Sequence, residues 1–312
     1  VKSSTYGMPH YAEEHRLDRD RSEFLGSLLT KAGYQTALVG KRHWHTEEDF
    51  RAGFETVVPM ERLERLQQLH LGREGAVFST GANEVAPTLS HLPPELYSTD
   101  WLVDRCIEVV RERQKDQPLF LWCSMVDPHP PLAIHEPYYS MYDLSPIPAP
   151  AIGDWEDSDE CPAQQFGHRR AYNGGPVGND ELRKARGVYY GMITNMDHQL
   201  GRLFGCLMNE GMWEDTWIVY TTDHGEHLGD HYDIAKSSFQ NSAARLPFIV
   251  RPPRALQDPA GGWVSEALVE LADLLPTFCS LAGVDVPADV DGLDLSAHML
   301  GGQAPARELL FG

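Results

Sequence analysis

The sequence predicts an α/β fold, with a mostly parallel, mixed central sheet and helices on both faces. Two observations predict it. Segments with apolar residues three or four positions apart alternate along the chain with short apolar runs of strand length. One such run, PLFLWCSMV (118–126), is apolar throughout, as expected for a strand covered on both faces.

The elements follow in order. SEFLGSLLTKAG (22–33) carries apolar residues at 24, 25, 28, 29 and 32, with Ser22 as its N-cap and Gly33 as its stop, and TALVG (36–40) reads as the strand after it. TDWLVDRCIEVVRERQ (99–114) sets Val103, Cys106, Ile107 and Val110 on one helical face ahead of the strand at 118–126. The longest helix is expected over 180–210, where Val188, Met192, Met196, Leu200, Leu203 and Leu207 form the stripe and Gly211 closes it. Strands TWIVYTT (216–222) and LPFIV (246–250) come next, then a helix over 264–283. Residues 127–180 are rich in proline, aromatic and acidic residues, without periodicity. We read them as an ordered excursion over the substrate side of one domain.

The bulk numbers exclude some partners. A formal charge of −20 over 312 residues argues against nucleic acid and anionic membrane as general partners. No apolar run is long enough to span a bilayer. The five cysteines (106, 123, 161, 206, 279) form no CxxC pair and read as reduced core residues. That favours a cytoplasmic location, with periplasmic or secreted locations and homo-oligomerisation left open.

In sheets of this kind, binding sites lie at the carboxyl ends of strands. Three predicted strand ends carry histidine: GKRHWH with Lys41, His43 and His45; DPHPP with His129; and DHGEHLGDH with Asp223 and His224. Lys236 follows shortly afterwards. A lone histidine is more often a satisfied surface or core residue and a lone lysine more often solvated, but the coincidence at three ends is harder to dismiss. Adjacent carboxylate and imidazole suit a divalent cation, and Gly225 lets that turn come close to one. Lysines and further histidines suit the grip of a tetrahedral oxyanion. Together they point to hydrolysis of a sulfate or phosphate ester. Glu226, His227, Asp230 and His231 are better explained as hydrogen-bonding residues that shape the loop.

The order of motifs resembles that of the type I sulfatases of the alkaline phosphatase superfamily. AGYQTALVGKRHW is similar to their AGYxTAxxGKWHxG signature, DPHPP with EPYYSMYD to their PHxPxxxP region, and the helix, strand and loop ending in TTDHGEHLGDH to their metal loop. RLPFIVRPP, Lys236 and DGLDL (291–295) agree as well. The resemblance implies an alkaline phosphatase-like fold and a sulfuric ester hydrolase. It implies Asp223 and His224 as ligands of a divalent metal, calcium first, with manganese or magnesium as alternatives. It implies that Lys41 holds the charge of the nucleophile and His43 assists breakdown of a covalent intermediate. His129 and Lys236, with Lys41, would bind a small anionic sulfate ester, and His129 or Lys236 would help protonate the leaving oxygen.

The departures concern the ends of the chain. The family's paired-aspartate motif and its CxPSR or SxPSR nucleophile segment, source of formylglycine, are not found; Cys161 precedes PAQQ, and Ser3, Ser4 and Thr5 lack the pattern. We therefore expect a chain incomplete at both ends, without the family's C-terminal subdomain, and inactive by itself. A phosphonate or phosphate ester hydrolase, and a non-catalytic anion binder, stay open as alternatives.

Overall fold

The computed structural model describes residues 24–42, 53–71, 85–151, 178–236, 238–288 and 290–310. Strand β1 (Gln35–Gly40) is its centre, because it pairs in parallel on both sides, with β2 (Thr56–Pro59) and with β4 (Leu119–Ser124). Parallel pairing on both edges removes the strand from water, so its interior must be apolar. Ala37, Leu38 and Val39 are accordingly buried.

Side chains alternate across the strand, and the β1–β4 register sets Val39 beside Cys123 and Leu38 beside Trp122. On the first face, Val39, Leu121 and Cys123 pack with α3 (Ser98–Glu112) and α4 (Asn179–Asn209), through Leu102, Cys106, Leu203 and Leu207. On the other, Phe120 meets Phe54 and Phe278, the latter on α6 (Leu274–Ala282), which also packs against α1 (Leu25–Lys31). Helices thus lie on both faces. Cys106, Cys206 and Cys279 are buried in the core; Cys161 lies outside the described residues.

Two expectations need correction. Trp122 is 42% exposed, so one face of β4 is covered only in part, at Phe120. The helix expected over 264–283 begins only at Leu274, after a 3-10 turn at Leu271–Asp273. The buried Asp273 carboxylate explains that start: it accepts from the Glu270 and Leu293 amides and pairs with Arg307, which holds the preceding segment away from helical geometry. The strand expected at 246–250 is β7 (Phe248–Arg251), antiparallel to β6 (Ile218–Thr221), which makes the strand set mixed. The sequence reading also missed α2 (Met60–Leu71), whose stripe buries only Leu63. Among the described residues, no helix is long and apolar enough to cross a membrane.

The described part of the long excursion is tied to α4. It includes β5 (Ala133–Ile134), which pairs in parallel with β3 (Thr88–Leu89), and a 3-10 turn at Tyr138–Ser140. Arg186 of α4 donates to the carbonyls of Pro148, Ala149 and Leu228 and pairs with Asp230. One guanidinium therefore joins the excursion, the helix and the loop after β6.

Gly191 lets the helix lie against that turn: a β-carbon there would stand 2.2 Å from the Tyr138 carbonyl oxygen. Gly201, further along the same helix, faces open space. Gly201→Ala is expected to stabilise the protein by about 0.5–1 kcal/mol through helix propensity. Gly191→Ala is expected to destabilise it by about 1–3 kcal/mol through overpacking. Denaturant midpoints of the two variants check this; shifts of the same sign would contradict the close approach at Gly191.

Candidate active site

The site forms where three strands end. Gly40 closes β1 with φ at +115°, where a β-carbon would stand 2.0 Å from the Ser124 carbonyl oxygen, so only glycine permits this contact with β4. The Lys41 amide then donates to the same Ser124 oxygen at 2.9 Å, carrying the parallel register one step past the strand. Beyond β4, the chain turns at Asp127–Pro131 and delivers His129. Beyond β6, it enters the acidic-histidine loop with Asp223 and His224.

His129 is the meeting point. Its Nδ1 donates to the Pro130 carbonyl at 2.6 Å, because a carbonyl can only accept, and this leaves the Nε2 lone pair for the Lys236 ammonium at 2.8 Å. The His129 and His224 rings cross edge to face with centroids 5.6 Å apart. Burial pushes the His129 pKa down to about 4, aided by the positive charge of Lys236 and Lys41. The imidazole is therefore neutral near pH 7. Burial likewise lowers the Lys236 pKa, as does Lys41, while Asp223 and Glu226 oppose the shift.

His224 Nδ1 donates to the Gly225 carbonyl at 2.8 Å, which leaves Nε2 as an acceptor 3.7 Å from Asp223 Oδ2. The residues behind this pair hold the loop. Glu226 Oε1 accepts from the amides of Leu228 and Ala235, and the His227 amide donates to the Ala235 carbonyl. Both contacts fix the residue just before Lys236. The buried His227 ring lies between the hydroxyls of Ser238 and Ser242, at 3.1 and 2.7 Å. Asp230 accepts from the Ala151 amide and pairs with Arg186, and the His231 amide donates to the Ala151 carbonyl.

The structure thus brings together Lys41, His129, Lys236, Asp223 and His224. His43 and His45 lie outside the described residues. Sequence reasoning missed the buried polar cluster of Asp100, Asn195 and Gln199 between α3 and α4. A signal for the last two existed: Asn195 and Gln199 stand four apart, interrupting the apolar stripe of α4.

A family model described as Sulfatase matches residues 2–284. An arylsulfatase of Clostridium perfringens is 29% identical over 300 residues, covering 87% of this chain and 60% of that protein. The multifunctional alkaline phosphatase superfamily protein PehA of Trinickia caryophylli is 27% identical over 337 residues, covering 96% of this chain and 65% of that protein. Among solved structures, the phosphonate monoester hydrolase of Silicibacter pomeroyi superposes with a TM-score of 0.73 at 27% identity, over 92% of this chain and 63% of its own. The chain therefore spans 60% and 65% of the length of these two curated relatives.

The loop geometry can be tested without reference to activity. A β-carbon at Gly225 would stand 2.0 Å from the Ser242 carbonyl oxygen. Gly225→Ala should cost about 1–3 kcal/mol of stability through overpacking. Thermal unfolding measures it, and an unchanged midpoint would count against this packing of the loop.

Proposed function

The chain belongs to the sulfatase family, and from that premise we propose that the whole protein is a metal-dependent hydrolase of a small anionic sulfate ester. The convergence of Lys41, His129 and Lys236 beside Asp223 and His224 carries the reading. A tetrahedral oxyanion needs donors and positive charge that are already in place and shielded from water. Lys41 and Lys236 supply them locally, against an overall formal charge of −20.

Asp223 and His224 fit a divalent cation. Their Oδ2 and Nε2 atoms are 3.7 Å apart, and the Gly225 carbonyl orients the imidazole with its Nε2 lone pair outward. Calcium is the proposed ion, with manganese or magnesium as alternatives. When bound, it would act as a Lewis acid towards an ester oxygen. Lys236 is the proton source for the leaving oxygen: it carries protons to give, and burial makes it more acidic than an ordinary lysine. His129 holds its ring proton on Pro130 and steers the Lys236 ammonium through Nε2. His43 keeps the role that the resemblance implies, in breakdown of the covalent intermediate.

A phosphonate or phosphate ester is the second reading, favoured by the similarity to the Silicibacter pomeroyi hydrolase. Both ester classes present a tetrahedral anion to the same cations. The full-length protein is to be assayed on an aryl sulfate, a phosphonate monoester and a phosphodiester. The aryl sulfate should show the highest kcat/KM; preference for the phosphonate would establish the second reading, and turnover of none would overturn both. Asp223→Ala should remove both the bound metal, read by elemental analysis, and the hydrolysis; retention of either refutes its role as a ligand. Lys236→Ala should lower kcat by about 10²–10⁴-fold, the usual range for a general acid.

A further inference from the structure

The first turn of α3 holds both ends of the span that carries His129. Thr99 Oγ1 donates to Asp127 Oδ2 at 2.5 Å, two residues before His129. Asp100, the next residue of that turn, faces the far end of the span, with its Oδ2 3.9 Å from His135 Nε2. The distance is longer than a hydrogen bond, and the nearby Asp100 carboxylate raises the His135 pKa, so the two attract when the imidazole is protonated. Asp100 is itself held from α4: Asn195 Nδ2 donates to it at 2.9 Å and Gln199 Nε2 at 2.8 Å.

All of these side chains are buried, Asn195 completely. Two buried carboxylates beside one helix start are a costly arrangement, and an apolar contact would hold the same elements together at less expense. Part of the cost is offset by the side-chain donors on these carboxylates, Thr99 on Asp127 and Asn195 with Gln199 on Asp100. Burial pushes the Asp127 carboxyl up to about 6, which still leaves it mostly ionised at neutral pH.

What this arrangement adds is direction. Between its pins the span contains Pro128, Pro130 and Pro131, whose rings restrict the backbone. The His129 amide donates to the Val126 carbonyl at 3.0 Å, and its ring is tied to the Pro130 carbonyl. A stiff span pinned at both ends passes the position of its pins to its middle. We propose that Thr99, Asp100 and Asp127 are positioning residues that set His129 Nε2 against Lys236 through the span 127–135. The inference rests on the reading of His129 and Lys236 as the anion-gripping pair.

The test uses the full-length protein, with Thr99→Val, Thr99→Ser, Asp127→Asn and Asp100→Asn. Four quantities are read: kcat, KM, the dissociation constant of inorganic phosphate, and the thermal midpoint. Misplacing a reacting group by a fraction of an ångström to one ångström costs up to about 10²-fold in rate. Thr99→Val and Asp127→Asn should therefore lower kcat by roughly tenfold or more and weaken phosphate, while Thr99→Ser, which keeps the hydroxyl, stays near wild type. A lowered midpoint with unchanged kcat and phosphate affinity in the folded protein would make the network structural only and overturn the proposal. Should the aspartate variants fail to fold, the Val and Ser pair at position 99 decides alone. Failure of the proposed reaction has a different signature: wild type inert on every ester, yet phosphate weakened by Thr99→Val and not by Thr99→Ser, which supports the positioning role.

Discussion

Parallel pairing of β1 with β4 is the constraint on which the site depends. Antiparallel neighbours would send their carboxyl ends in opposite directions, whereas parallel ones end together. The Gly40–Ser124 register, prolonged by the Lys41 amide, sets Lys41 and the turn to His129 on one edge of the sheet. The β6 loop reaches the same edge, which the crossed rings of His129 and His224 demonstrate. Lys41 and His129 meet because β1 and β4 run the same way, and the loop after β6 brings His224 and Lys236 to them.

Electrostatics at this edge runs against the composition of the chain. An acidic protein concentrates lysine charge where water is scarce, and the cost appears in the depressed pKa values of His129 and Lys236. The lowered pKa of Lys236 makes its proton easier to release, and a neutral His129 offers a lone pair in place of a competing positive charge. An anion held as proposed would relieve the repulsion between Lys41 and Lys236.

The acidic-histidine loop divides its labour by depth. Asp223, the most exposed of its carboxylates described here, and the half-buried His224 face the site. Glu226, His227 and Asp230 turn inward to amides, serines and Arg186. Their desolvation is compensated by hydrogen bonds within the loop and to α4. The donors facing the site are thereby carried on a frame anchored to the longest helix.

Much was legible in the sequence alone. The alternation of apolar stripes and runs revealed the helices on α3 and α4 and the strands β1, β4 and β6, because burial selects side chains locally. The motif order also pointed to Lys41, His129, Asp223, His224 and Lys236, since chemistry demands particular residue types at strand ends. Other features were decided only in three dimensions. The apolar residues of 264–270 follow a helical pattern, yet the buried Asp273 with Arg307 determines where α6 begins. The antiparallel sense of β7 leaves no mark in LPFIV, because direction depends on the neighbour and not on the strand. The contacts of Thr99 with Asp127 and of Asn195 and Gln199 with Asp100 join residues up to a hundred positions apart; the stripe of α4 marks Asn195 and Gln199 as polar but does not say what they hold. Local sequence marked most of the elements and the residues proposed to carry chemistry; only tertiary packing decided how those residues face one another.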